Sequence, residues 1–164
     1  MTLCQSALSV FFQGARRLLI DGLTRFAKLT CMCQPDSSVS PFASDLFSVV
    51  CLCAEWCGTC RDYREGFDLL ASDFAGVRFL WLDIEDQADL LGDLDVENFP
   101  TILIRRGAWI LFFGTLLPQI GHLRRLIETF VEQTPEQSKA YALSGPERSA
   151  WQEDPDLAGI GIAY

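Results

Sequence analysis

Cys57 and Cys60 stand at C-x-x-C spacing within Trp56-Cys57-Gly58-Thr59-Cys60-Arg61, directly after an apolar run from Leu46 to Cys53. Helical periodicity follows them. A strand that delivers a C-x-x-C to a helix N-terminus is an arrangement for thiol–disulfide chemistry. The free peptide N–H groups and positive dipole end of the helix favour a thiolate on the first cysteine. The second, one turn further in, lies within reach of the first sulfur. A C-x-x-C is also half of a zinc site, which needs two more ligands. The single histidine, His122, is far away in sequence, and the other close cysteine pairs are Cys31/Cys33 and Cys51/Cys53. A redox pair is the stronger reading, and a metal-binding dithiol is the minor one.

The elements that must position these thiols sit in a chain of 164 residues, enough for one domain with extensions. At 49% hydrophobic residues it has the material for a real core. The net charge of −9 argues against non-specific nucleic-acid binding. Residues 1–40 hold four basic and two acidic side chains, so the remainder carries −11. No positive segment precedes the first apolar residues as in a secretory leader, and no apolar run has the length of a membrane span. Seven cysteines, none beyond position 60, do not make a structural disulfide framework. They suit a reducing cytoplasm and one catalytic dithiol.

Read in order, residues 7–29 form an amphipathic helix with a basic face, expected to dock on protein rather than on membrane. Gln34 to Pro41 is a linker. The domain plan is therefore an N-terminal helix and linker over 1–40, a central domain over 41–133, and a polar, mobile tail over 134–164. Pro135, Pro146 and Pro155 mark that tail, whose apolar end from Leu157 has no assigned partner. Within the domain, a strand over 47–54 is apolar on both faces, as in the middle of a largely parallel sheet. A helix over 59–75 buries Tyr63, Phe67, Leu70 and Phe74, and Gly76 ends it. A second strand over 77–82 closes at Asp83. A short helix over 86–94 follows, with Ala88, Leu91 and Leu94 inward. Pro100 opens a third strand over 101–104, a position where no ladder donor is lost. Arg105-Arg106-Gly107-Ala108 is a tight turn into a fourth strand over 109–113, ended by Gly114. The last helix, 118–132, buries Ile120, Leu123, Ile127 and Phe130. The acidic run from Asp83 to Asp95 reads as a solvated face, and no phosphate-binding loop is present, so no bound cofactor is expected.

This order, β-α-β-α-β-β-α with C-x-x-C at the first strand-to-helix junction and Phe99-Pro100-Thr101 opening the third strand, resembles the thioredoxin family over residues 42–132. Ala54-Glu55-Trp56-Cys57-Gly58-Thr59-Cys60, Asp83, Gly107 and Gly114 agree with it in order. The resemblance implies an α/β thioredoxin-like fold: a central mixed sheet of four strands, or five, flanked by helices, with an added N-terminal helix. It implies a cis Pro100 against the active site, and a substrate groove of Trp56, Gly58, Thr59, Phe99, Pro100, Phe113 and Gly114. It also implies reduction of protein disulfides by a Cys57/Cys60 redox disulfide through a mixed-disulfide intermediate. Disulfide-containing proteins are the implied substrates. An NADPH-dependent disulfide reductase is the implied electron donor, and a monomer the expected state. The competing reading is a client-binding or chaperone module in which redox turnover is secondary.

Three positions depart from the family. Cys51 stands where a buried Asp assists the resolving thiol. It reads as a buried core thiol, with pairing to Cys60 as the alternative, and Glu55 or a water becomes the candidate base. Gly58-Thr59 replaces Gly-Pro, which implies a more oxidising dithiol. The family's first strand and helix lack a clear counterpart here.

Overall fold

The computed structural model describes residues 45–161. The expected helix over 7–29, the linker, Cys4, Cys31 and Cys33 lie outside these residues, as does most of the expected turn at 42–46. Four strands form one mixed sheet in the order β2-β1-β3-β4, from β1 (Phe47–Cys53), β2 (Val77–Asp83), β3 (Thr101–Arg106) and β4 (Trp109–Thr115). β1 pairs parallel with β2 and antiparallel with β3, and β3 pairs antiparallel with β4. This is the expected architecture, and β1 is buried along its whole length because it has a strand on each side and a layer on each face.

Strand alternation sorts β1 between two cores. Phe47, Val49, Cys51 and Cys53 join the layer filled by α1 (Gly58–Asp73) and α3 (Ile120–Val131), with Tyr63, Phe67, Leu70, Leu123, Ile127 and Phe130. Val50 and Leu52 join Leu82, Leu103 and Ile110 on the other face. α2 (Ala88–Leu91) reaches this second layer through Leu91. It is shorter than the expected 86–94: Gly92, at φ 58, stops it, and Ala88 is exposed rather than inward.

The C-terminal segment is not a mobile tail. It forms α4 (Pro135–Ala142), α5 (Pro146–Glu153) and α6 (Pro155–Gly159). Each proline occupies the first turn of a helix, where its missing N–H is not needed. Thr134 and Gln137 make a reciprocal capping box, and the Asp154 carboxylate accepts from the N–H groups of Asp156 and Leu157. Leu157 and Ile160 are buried in the second core, so the apolar end of the chain covers one face of the sheet.

The hairpin also differs from expectation. Arg105 and Arg106 belong to β3, not to the turn, and both are buried. Burial of guanidinium groups requires donors to be satisfied. Arg105 donates to the carbonyls of Gly107, Ala158 and Ile160 at 2.9, 3.1 and 2.6 Å. Arg106 donates to the carbonyls of Phe130, Val131 and Gln133 at the end of α3. β4 runs on to Thr115, with Gly114 inside it at φ 154.

Candidate functional site

Cys57 is the N-cap residue of α1, held in extended conformation by a turn in which its N–H donates to the Ala54 carbonyl at 3.0 Å. Its own carbonyl accepts from Arg61 N–H, so the helix begins directly behind it. No side chain caps this terminus, so the N–H groups of the first turn are left without a side-chain partner behind Cys57. Cys57 is half-buried, a free thiol packed against the first core layer. Cys60, one turn along, points inward and is 1% exposed.

The pairing of Cys60 differs from the expected Cys57–Cys60 disulfide. Cys60 is bonded to Cys53, the last residue of β1, with their Cα atoms 5.9 Å apart. That separation is ordinary for a disulfide. It arises because period-2 alternation turns Cys53 toward α1, and Cys60 sits on the helix face that packs on β1. Cys51 shares that face, with its sulfur 3.8 Å from that of Cys53. Cys51 is fully buried, and burial pushes its thiol far above the ordinary range, with the Arg64 charge opposing only in part. It therefore remains a protonated core thiol, as its position in the strand suggests, and it is not the partner of Cys60.

Around the thiols, Trp56 is 61% exposed and projects beside Cys57. Its indole N–H donates to Glu85 at 2.9 Å, and its ring meets Phe99 edge-on at 5.6 Å. The Phe99–Pro100 peptide bond is cis and Pro100 is buried. Gly58 and Thr59 form the exposed first turn of α1. Thr59 also lines a cleft of about 380 Å³ with Tyr63, Pro118 and Ile120. A second cleft, about 420 Å³, is lined by Glu55, Cys60, Arg61, Arg64, Asp83 and Asp86 among others. Its walls carry both signs of charge beside the buried sulfur.

The structure thus groups Trp56, Cys57, Cys60, Phe99 and Pro100. Phe113 and Gly114 belong to β4. They line a cleft with Asp95, Asn98 and Thr101, and the Phe113 ring meets Trp151 of α5 in the second core layer. Cys53 and Glu85 are the site residues that sequence reasoning missed. The signal for Cys53 was present, since a C-x-C inside a strand places both thiols on one face, here the face that α1 covers. Asp83 has a local task, accepting from the N–H groups of Glu85 and Asp86 after β2. Among the described residues, no group of three His, Cys, Asp or Glu side chains is arranged to hold a metal ion, and no helix is long and apolar enough to cross a membrane.

Comparison with known proteins finds similarity to thioredoxins. Residues 36–111 match the family model described as Thioredoxin. Thioredoxin of Mus musculus is 36% identical over 59 residues, which are 36% of this chain and 56% of its own. Thioredoxin H2 of Arabidopsis thaliana is 34% identical over 65 residues, 39% of this chain and 49% of its own. The chain spans about half the length of these curated relatives. In fold, a thioredoxin crystal structure from Trypanosoma brucei brucei superimposes on 56% of this chain and 80% of its own, with a TM-score of 0.50 at 23% identity.

Proposed function

We propose that this chain is a protein-disulfide reductase of the thioredoxin family, whose model residues 36–111 match, with Cys57 as nucleophile and Cys60 as first resolving thiol. The observation that carries the reading is the position of Cys57: a free, half-exposed thiol at the uncapped start of α1, with an inward cysteine one turn behind it. The Cys57 thiolate attacks a client disulfide, forming a mixed disulfide and releasing one client thiolate. Cys60 then attacks the Cys57 sulfur and releases the second.

Trp56 and Phe99 give the client an aromatic platform beside the nucleophile, suited to an extended segment rather than a small polar molecule. Cys51 is protonated and buried, so it accepts no proton from Cys60. Glu55, on the wall of the cleft that reaches Cys60, takes that role directly or through water. An NADPH-dependent disulfide reductase, in a reducing cytoplasm, supplies the electrons.

Covalent capture tests the assignment. Cys60→Ser should hold an insulin chain in a mixed disulfide on Cys57 that survives alkylation and non-reducing electrophoresis. Cys57→Ser should hold none. Equal capture by both variants would remove Cys57 from the nucleophile's role.

A further inference from the structure

We propose that Cys53 is a third redox cysteine, an internal resolving residue that takes the disulfide from Cys57–Cys60 and returns Cys57 to the surface as a free thiol. The proposal rests on the reading of Cys57 and Cys60 given above and adds a step to it. Two observations carry it. Cys60 is bonded to Cys53, not to its C-x-x-C neighbour, while Cys57 is free. Cys51, Cys53 and Cys60 also share one apolar core layer, and Cys57 packs against that layer from the solvent side. The four cysteines therefore meet at one layer, three of them buried and Cys57 partly exposed at its edge.

The step is a thiol–disulfide exchange. Once the client has left, the Cys53 sulfur attacks Cys60, the Cys57–Cys60 bond breaks, and Cys57 departs with the electron pair. Its negative charge falls beside the free N–H groups of α1. The proton from Cys53 ends on Cys57, or in solvent where Cys57 stays ionised. Over the whole sequence the client disulfide gains two electrons and two protons, and Cys53 with Cys60 loses them. Cys51 stays a thiol throughout, its S–H facing the Cys53 sulfur at 3.8 Å. Resetting runs outward. Cys57 attacks Cys60 and frees Cys53, and an external dithiol then reduces the Cys57–Cys60 bond at the exposed Cys57.

The relay changes what the oxidised protein does. With Cys60 committed to Cys53, Cys57 attacks a second client disulfide but has no resolving thiol behind it. The reduced chain turns over disulfides, whereas the once-oxidised chain holds a client covalently until an outside thiol releases it.

Disulfide mapping of the full chain tests this. Fully reduced protein is mixed with insulin at one insulin disulfide per chain, quenched in acid, labelled with a maleimide, and cleaved after Glu55 and Trp56. Cleavage there separates Cys53 from the peptide that holds both Cys57 and Cys60. The expected result is a cross-link between the two peptides through Cys53 and Cys60, with maleimide on Cys57 and insulin chains released. In Cys53→Ser, Cys57 labelling should fall at least tenfold, because the disulfide then closes within the Cys57–Cys60 peptide. Insulin reduction with a Cys57–Cys60 loop and a labelled Cys53 in the unmutated chain overturns the relay and leaves the reductase reading standing. Failure of the unmutated chain to reduce insulin overturns both.

Discussion

The two faces of the sheet use the same strand for opposite purposes. On one, Cys51 and Cys53 lie under α1, and an apolar layer brings sulfur to the start of that helix, the proposed client site. On the other, Val50 and Leu52 lie under α6, and the buried polar group is a guanidinium. Both faces bury groups with chemical potential, but only one, on the proposed relay, lets them change partners. Cys60 shares its core layer with Cys51 and Cys53, and Cys57 packs against that layer. Arg105, by contrast, is fixed by three carbonyls, two of them from the α6 region. The proposed site of bond exchange is thus backed by a layer held by fixed hydrogen bonds.

Breaking the fixed face should show the contrast most clearly. Arg105→Ala removes a side chain only 2% exposed and leaves the Ala158 and Ile160 carbonyls without a donor. It should cost about 3–5 kcal/mol by urea unfolding. A loss below about 1 kcal/mol would mean that α6 is held chiefly by Leu157 and Ile160.

Gly92→Ala probes the same face more gently. Gly92 has φ 58, and an added Cβ would lie 2.2 Å from the Asp156 carboxylate of α6. The left-handed backbone and this crowding together should cost about 1–2 kcal/mol. Near-neutral unfolding would show that Asp156 swings aside and that the α2–α6 contact contributes little.

The thiol face should reveal itself through pH. Cys51 loses its proton far less readily when folded than when unfolded, because burial opposes the thiolate. Above the usual thiol pKa of about 8.5 the unfolded chain releases this proton and the folded chain keeps it, so stability falls as pH rises. The contribution is fully present below that pH. Each further unit should remove about 1.4 kcal/mol until the folded thiol ionises, and Cys51→Val should flatten the slope in urea midpoints at pH 8 and 10. An unchanged slope would move the alkaline sensitivity to another group, Tyr63 first, whose hydroxyl burial also pushes upward.

The smallest effect is expected at Tyr63 itself. Its buried hydroxyl has no hydrogen-bond partner among the described residues. Tyr63→Phe should stabilise the reduced protein by about 1 kcal/mol, since an unsatisfied polar atom leaves the core and the ring remains. Destabilisation by as much would show that a water serves this hydroxyl.

These contrasts also explain what was legible in the sequence. β1 and α1 were plain because a two-faced apolar run and a Tyr63-Phe67-Leu70 stripe have unambiguous periods, and they fix where Cys57 and Cys60 sit. The C-terminal helices were missed because Pro135, Pro146 and Pro155 were read as breakers, whereas Thr134 with Gln137, and Asp154, mark helix starts. Arg105 and Arg106 were placed in the turn because charge usually marks solvent. Their burial depends on carbonyls contributed from α3 and the α6 region, which no local pattern announces. The partner of Cys60 was missed for a related reason, since the choice between Cys57 and Cys53 is made by strand-to-helix packing and not by spacing along the chain.

The central claim is that Cys57 is the nucleophile of a disulfide reductase, and turnover of insulin with dithiothreitol as electron source tests it most directly. The unmutated protein should accelerate insulin reduction well above the dithiothreitol background, and Cys57→Ser should fall to that background. Persistence of the acceleration in Cys57→Ser, or its absence in the unmutated chain, would contradict the account.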